Sequence, residues 1–241
     1  KNRHLTENVT KAEMDPWVLL SHKRAGPGGQ KKILSDIQFS IADSKKDEGI
    51  RPSMSQRLLD RLPCLLPGGS IITAANACLM HDGAAFVVSV LKHTEKTWSD
   101  AQAAFRFGTA IGSDPFMSPK TAVLAIRKLL KQTALSIDEI HSLEVNEPLR
   151  DRCTFRAGVP WNKRAVKSIG RSPCLRSSLR RFRSIILLHL LKDLELNQGR
   201  FGICGVAAAG GIGTALWWKK YKETYIGDKS MEKITNYLEL I

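Results

Sequence analysis

Apolar residues return every three or four positions between Met14 and Ala25, with Val18, Leu19 and His22 on one face. Taking Asp15 as its start puts Pro16 in the first turn of a helix, which Ala25-Gly26-Pro27-Gly28-Gly29 closes. Residues 43–57 are polar and read as a solvated loop. From Gly68-Gly69 the pattern changes: Ser70 to Ala74 predicts a strand, and Asp82 to Val88 the tightly packed start of a helix. Ser118-Pro119 opens a helix carrying Ala122, Ile126, Leu129, Leu130 and Thr133 at helical spacing. Ser136-Ile137-Asp138-Glu139 has the form of a capping box. Leu143 to Val145 predicts a strand ending at Asn146, and Ser184 to Leu196 a helix. Arg200 to Ala208 predicts an apolar strand, Gly210-Gly211-Ile212-Gly213 a turn, and Thr214 to Trp218 a returning strand. Strands alternating with helices mean an α/β fold with a parallel or mixed sheet. The pattern divides the chain into residues 1–67, a body over 68–222, and a tail over 223–241.

Composition narrows the class without naming a function. The 241 residues are 43% hydrophobic and 25% charged, a globular balance that excludes a disordered tail, a collagen-like fibre and a disulfide scaffold. No apolar run approaches the roughly 18 residues of a membrane span, so no membrane partner is expected. The longest, Ile185 to Leu191, is broken by His189 and reads as a buried helix. Five cysteines without paired spacing point to free thiols in a reducing compartment, the cytoplasm first, with the mitochondrial matrix left open. Cys64, Cys78, Cys153 and Cys174 read as ordinary small residues, and His22 and His189 as core histidines. No Cys/His group has metal-ligand spacing, so no metal is expected. The glycine turn is not a dinucleotide fingerprint, because a strand rather than a helix follows it.

The net charge is +14, and residues 150–183 hold eleven Lys and Arg against one Asp, which is +10 of that total. Nucleic acid is therefore a possible partner. The segment offers only Phe155, Trp161 and Phe182 as stacking residues, which ranks a solvated loop above an RNA surface.

A set of short stretches carries more information than any of these properties. In order they are Thr6-Glu7-Asn8-Val9, Ser21-His22-Lys23-Arg24-Ala25, Asp47-Glu48-Gly49-Ile50-Arg51-Pro52, Ile72-Thr73-Ala74-Ala75-Asn76-Ala77 and Asp82-Gly83-Ala84-Ala85. Ala125-Ile126-Arg127-Lys128, Glu144-Val145-Asn146-Glu147 and Gly210-Gly211-Ile212-Gly213-Thr214-Ala215-Leu216 complete them. Their joint order over residues 5–218 resembles the C-terminal half of a thiolase. The resemblance implies a mixed five-stranded sheet with helices on both faces, one half of a layered αβαβα fold. It implies acyl transfer between coenzyme A thioesters, with CoA as substrate, no separate cofactor, and a homo-oligomer. Residues 1–67 then become part of a CoA-covering region and its linker.

The family uses a nucleophilic cysteine, a second cysteine as acid/base, a Gly-His-Pro histidine, and the asparagine of an Asn-Glu-Ala-Phe motif that holds a water. A thiolate attacks only when a neighbour lowers its pKa, and the oxyanions formed need fixed donors. Carried over, Asn146 takes the oxyanion-water position and Gly210, Gly211 and Gly213 the substrate-binding turn. Ala207 falls where the acid/base cysteine belongs. Cys204 lies three residues earlier, an odd offset that points it at the opposite sheet face and makes it a weak alternative. Pro148-Leu149-Arg150 replaces Ala-Phe-Ala, Gly170-Arg171-Ser172-Pro173 is the nearest echo of Gly-His-Pro, and the nucleophile belongs to the half outside the resemblance. The expectation is a thiolase-type acyltransferase fragment inactive alone, needing an N-terminal thiolase half. The alternative is a non-catalytic thiolase-like subunit or pseudoenzyme serving an assembly or RNA. Asn146 and Ala207 are 61 residues apart, close to the family separation, so the basic segment replaces family sequence rather than extending it. Codons for Arg171-Ser172-Pro173 can spell Gly-His-Pro one nucleotide out of frame. A frame slip near 150–183 is the hypothesis, and encoding nucleotides without a thiolase-like shifted frame would remove it.

Overall fold

The computed structural model describes residues 10–25, 37, 39, 51, 53–65, 72–77, 84–89, 103–115, 118–145 and 182–221. The first helix, α1 (Lys11–Ala25), begins four residues before the expected Asp15. Thr10 and Glu13 form the cap that sets this start. The Glu13 N–H donates to Thr10 Oγ1 at 3.3 Å, and the Thr10 N–H donates to Glu13 Oε2 at 3.0 Å. Pro16 therefore lies inside the helix rather than in its first turn. Met14, Val18 and His22 are buried along one stripe, as the periodicity predicts, and the Arg51 N–H donates to His22 Nδ1 at 3.2 Å.

The polar stretch read as a loop ends in a second short helix, α2 (Gln56–Arg61), whose N-cap Ser55 accepts from the Leu58 N–H at 3.4 Å. Lys11 Nζ joins the two helices by donating to Asp15 at 2.8 Å and to the Leu59 carbonyl at 2.9 Å.

Four strands form one sheet among the described residues, against five expected. They are β1 (Ala103–Gly112), β2 (Ser142–Val145), β3 (Phe201–Ala208) and β4 (Ile212–Lys220), in the order β1-β4-β3-β2. β4 runs antiparallel to both β1 and β3, while β2 and β3 are parallel. Helix α3 (Ser118–Thr133) packs against one face and α4 (Phe182–Leu196) against the other. Ala122, Ala125, Ile126 and Leu129 of α3 meet Leu143, Val145, Ile203, Ala207 and Ala215 of the sheet. Ile186, Leu187, Leu190 and Leu194 of α4 meet Cys204 and Val206. Each large aliphatic side chain fully buried in these layers contributes about 1.5–3 kcal/mol.

Two local expectations fail. The strand predicted at Ser70 to Ala74 is present only as one bridge between Thr73 and Cys64, Ser70 and Ile71 lying outside the described residues. Asn76 ends it by taking the Thr73 N–H on its side-chain oxygen at 2.8 Å, which closes a turn. The helix start at Asp82 to Val88 is absent where it is described: residues 84–89 have no regular structure, with Phe86 78% and Val88 66% exposed. Adjacent β-branched Val87 and Val88 disfavour a helix over the described residues. The capping box at Ser136 does form, with the Ser136 N–H donating to Glu139 at 2.8 Å, but it starts one 3-10 turn (Ile137–Glu139) instead of an α-helix.

Candidate functional site

β3 is read most clearly by what a side chain would strike at its glycines. A Cβ on Gly205 would sit 2.5 Å from Ile126 Cδ1 of α3, whereas one on Gly202 would sit 2.9 Å from Leu194 of α4. Odd and even positions of β3 therefore face different helices. Ala207 shares the α3 face with Ile203, and Cys204 shares the α4 face with Val206. Cys204 is buried, paired in register with Glu144 on β2 and Leu216 on β4, and its side chain points away from the face of Ala207.

Ala207 is the penultimate residue of β3 and lies opposite Gly213 across the hairpin. The turn between the strands holds Gly210 at φ +84° and Gly211 at φ +77°, backbone that L side chains resist. Gly211 also lets the chain come close to residues 113–114: a Cβ there would fall on the Ser113 carbonyl oxygen. The Ser113 N–H donates to the Gly211 carbonyl at 2.8 Å. A Cβ on Gly213 would fall on the Thr121 carbonyl oxygen, and the Thr121 hydroxyl donates to the Ile212 carbonyl at 3.0 Å. The glycine turn is thus clamped between the first turns of α3 and the chain leaving β1. Sequence reasoning missed Thr121 and Ser113. A signal for Thr121 existed, since it is a polar residue one position before Ala122 on an otherwise apolar helix face.

The structure brings Ala207, Gly210, Gly211 and Gly213 together and sends Cys204 to the other face. Asn146 and Gly170 to Pro173 lie outside the described residues. A methyl group at position 207 neither attacks a thioester nor carries a proton, so this end of β3 offers shape and backbone groups rather than acid/base chemistry. Among the described residues no cluster of His, Cys, Asp and Glu is arranged to hold a metal ion. Among them, too, no helix is long and apolar enough to cross a membrane.

Polar burial is concentrated on the α4 side. Ser142, Glu144, His189 and Asp193 are all buried there. Burial pushes the Asp193 carboxyl above its usual range, with the Ser142 hydroxyl and the Asn197 amide pulling the other way.

No family model matches the chain. Beta-ketoadipyl-CoA thiolase of Pseudomonas aeruginosa is 28% identical over 220 residues, covering 86% of this chain and 55% of that protein. The crystal structure of the Bacillus anthracis acetyl-CoA acetyltransferase superposes with a TM-score of 0.80 at 24% identity, over 91% of this chain and 59% of that one. The chain is homologous to the thiolases over about half of their length. Human mitochondrial 3-ketoacyl-CoA thiolase, solved in complex with CoA, superposes with a TM-score of 0.78 at 23% identity, over 88% of this chain and 55% of that one. The sheet with helices on both faces is a thiolase-like α/β fold.

Proposed function

We propose that this chain is the C-terminal part of a thiolase-type acyl-CoA acyltransferase, acting on CoA thioesters and inactive by itself. The observation that supports the reading is homology to thiolases over about half of their length, and the resemblance assigns the acid/base cysteine position to Ala207, at the end of β3 beside a clamped glycine turn. Within this reading, residues 1–67 belong to the CoA-covering region and linker, 68–222 form the C-terminal domain, and 223–241 are a tail. Gly210, Gly211 and Gly213 form the substrate-side turn, and Asn146 holds the oxyanion water. A second, N-terminal thiolase half supplies the nucleophile.

The predicted assay result is no thiolysis of acetoacetyl-CoA by this chain above the uncatalysed background. Turnover at a normal rate that survives Cys204→Ala would overturn the assignment of position 207. CoA binding is a separate question, answered by titration calorimetry: heat that saturates with CoA supports the acyl-CoA reading, and a flat titration removes it. A specific observation favours the non-catalytic reading as the second choice. The buried thiol of β3 faces α4, so no side chain on the Ala207 face of β3 replaces the missing acid/base group. Under either reading an uncovered face is expected to promote association. Size-exclusion chromatography giving one well-behaved monomer counts against the half-enzyme picture.

A further inference from the structure

The α4 face of the sheet carries an ionisable group that the acyl-transfer reading does not use. Asp193 lies near the C-terminal end of α4 and is fully buried. The Asn197 amide donates to Asp193 Oδ1 at 2.8 Å and to the Asp193 backbone carbonyl at 3.1 Å, which fastens the group to the helix end. The carboxyl neighbours Ser142 of β2, and its other oxygen, Oδ2, is buried. There Ser142 Oγ is buried as well, and neither atom completes a hydrogen bond of full geometry. Burial inside a helix–strand contact penalises the charged form of the acid. A negative charge at a helix C-terminus adds to the penalty, because the helix dipole is negative there too.

We propose that Asp193 is a proton-operated clamp between α4 and β2: with the carboxyl protonated the helix seats on the strand, and with it ionised the contact loosens. The proton comes from solvent and returns to it. Burial favours the neutral acid, in the direction found for this carboxyl. The charged and titratable groups around it fit this assignment. On β2 the same-face neighbour is Glu144, fully buried. On β3 the neighbour is Cys204. On the helix itself His189 lies one turn earlier, and Lys192 donates to Glu195 at 3.0 Å. Asn197 is an amide and does not titrate.

The sign follows from proton linkage. The folded state holds the Asp193 proton more tightly than the unfolded chain, whose carboxyl titrates near the ordinary aspartate value of 3.8. The clamp's contribution is complete below that pH and is lost as pH rises through the folded value. β2 leads directly into Asn146. Any effect on an oxyanion water rests on the thiolase reading, whereas the clamp does not.

The test is amide hydrogen exchange of the full chain as a function of pH, expressed as protection relative to the free peptide rate. Protection of Leu143 to Val145 is expected to fall as pH rises from the acid range, while that of Ala122 to Leu129 in α3 stays level. Asp193→Asn, a shape-preserving mimic of the neutral acid, is expected to abolish the pH dependence. Asn197→Ala removes a donor to the carboxylate and is expected to move the midpoint to higher pH. Equal pH profiles for wild type and Asp193→Asn would overturn the clamp, as would a loss of protection shared equally by β2 and α3. Should Asp193→Asn fail to fold, isotope-edited infrared spectroscopy of the wild-type chain decides. A carboxylic-acid carbonyl band persisting above the titration of exposed aspartates supports the clamp, and a carboxylate band alone overturns it.

Discussion

Gly211→Ala is expected to destabilise the fold by roughly 3–5 kcal/mol, and Gly213→Ala by about 3 kcal/mol. At Gly211 two penalties combine. The backbone sits at φ +77°, and the new Cβ falls on the Ser113 carbonyl oxygen, with the Asp114 backbone 2.9 Å away. Neither obstacle is the tip of a flexible side chain, so relief requires the hairpin and the chain after β1 to separate. At Gly213 the conformation is ordinary and the clash alone acts, against Thr121 of α3. Gly210→Ala separates the two causes: its φ is +84° but its Cβ meets open space, so only about 1 kcal/mol is expected. Gly112→Ala meets nothing within 4 Å at an ordinary φ and is expected to be close to neutral. Thermal unfolding gives the order directly, at about 2–4 °C per kcal/mol for a domain of this size. Equal midpoints for Gly211→Ala and Gly112→Ala would mean the hairpin is not clamped against residues 113–121.

Ile126→Ala is the second large effect, at about 2–5 kcal/mol. Ile126 is fully buried at the centre of the α3 layer, and its Cδ1 occupies the space that a side chain on Gly205 would need. That geometry makes the two positions interdependent. Gly205→Ala alone forces Ile126 off its place and costs about 1–3 kcal/mol by overpacking. In the Ile126→Ala background the same methyl enters the vacated volume, so the double variant is expected to be more stable than the sum of the singles by about 0.5–3 kcal/mol. A double-mutant cycle by denaturant titration measures this. Strict additivity would show that β3 does not present Gly205 to α3, and the opposed facing of Ala207 and Cys204 would fall with it.

What the sequence made legible is the part of the fold whose signals are local. α3 announces itself through Ser118-Pro119 and the spacing of Ala122, Ile126 and Leu129, and all three are buried as predicted. The hairpin of β3 and β4 is marked by its glycines, and the odd offset between Cys204 and Ala207 already put them on different faces. Asp82 to Val88 misled because small residues followed by valines satisfy neither a helix nor a strand template. Thr10 was passed over because Pro16 drew the start of α1 toward itself, although Thr10-Lys11-Ala12-Glu13 has the capping-box spacing. β1 left almost no trace. Its ten residues include two glycines, three alanines and Arg106, which interrupts the register between Phe105 and Phe107, and their alternation is diluted accordingly. Its pairing with β4, rather than its own composition, holds it in place. The proposal for position 207 was legible only through resemblance. An alanine in a strand carries no chemical signal of its own.

That pairing has a consequence for how the chain is made. Ala103 is joined to Lys220, 117 positions later in the sequence. At about 5–20 residues per second of synthesis, β1 leaves the ribosome roughly 6–20 s before the end of β4 exists. A hairpin closes in microseconds once both strands are present, so translation rather than folding sets this delay. During that interval Phe107 and Ile111 have α3 to lean on but not yet the β4 strand they pair with. The nascent sheet is therefore most vulnerable to off-pathway strand pairing late in synthesis, until Trp217 and Trp218 emerge to cover both of its faces.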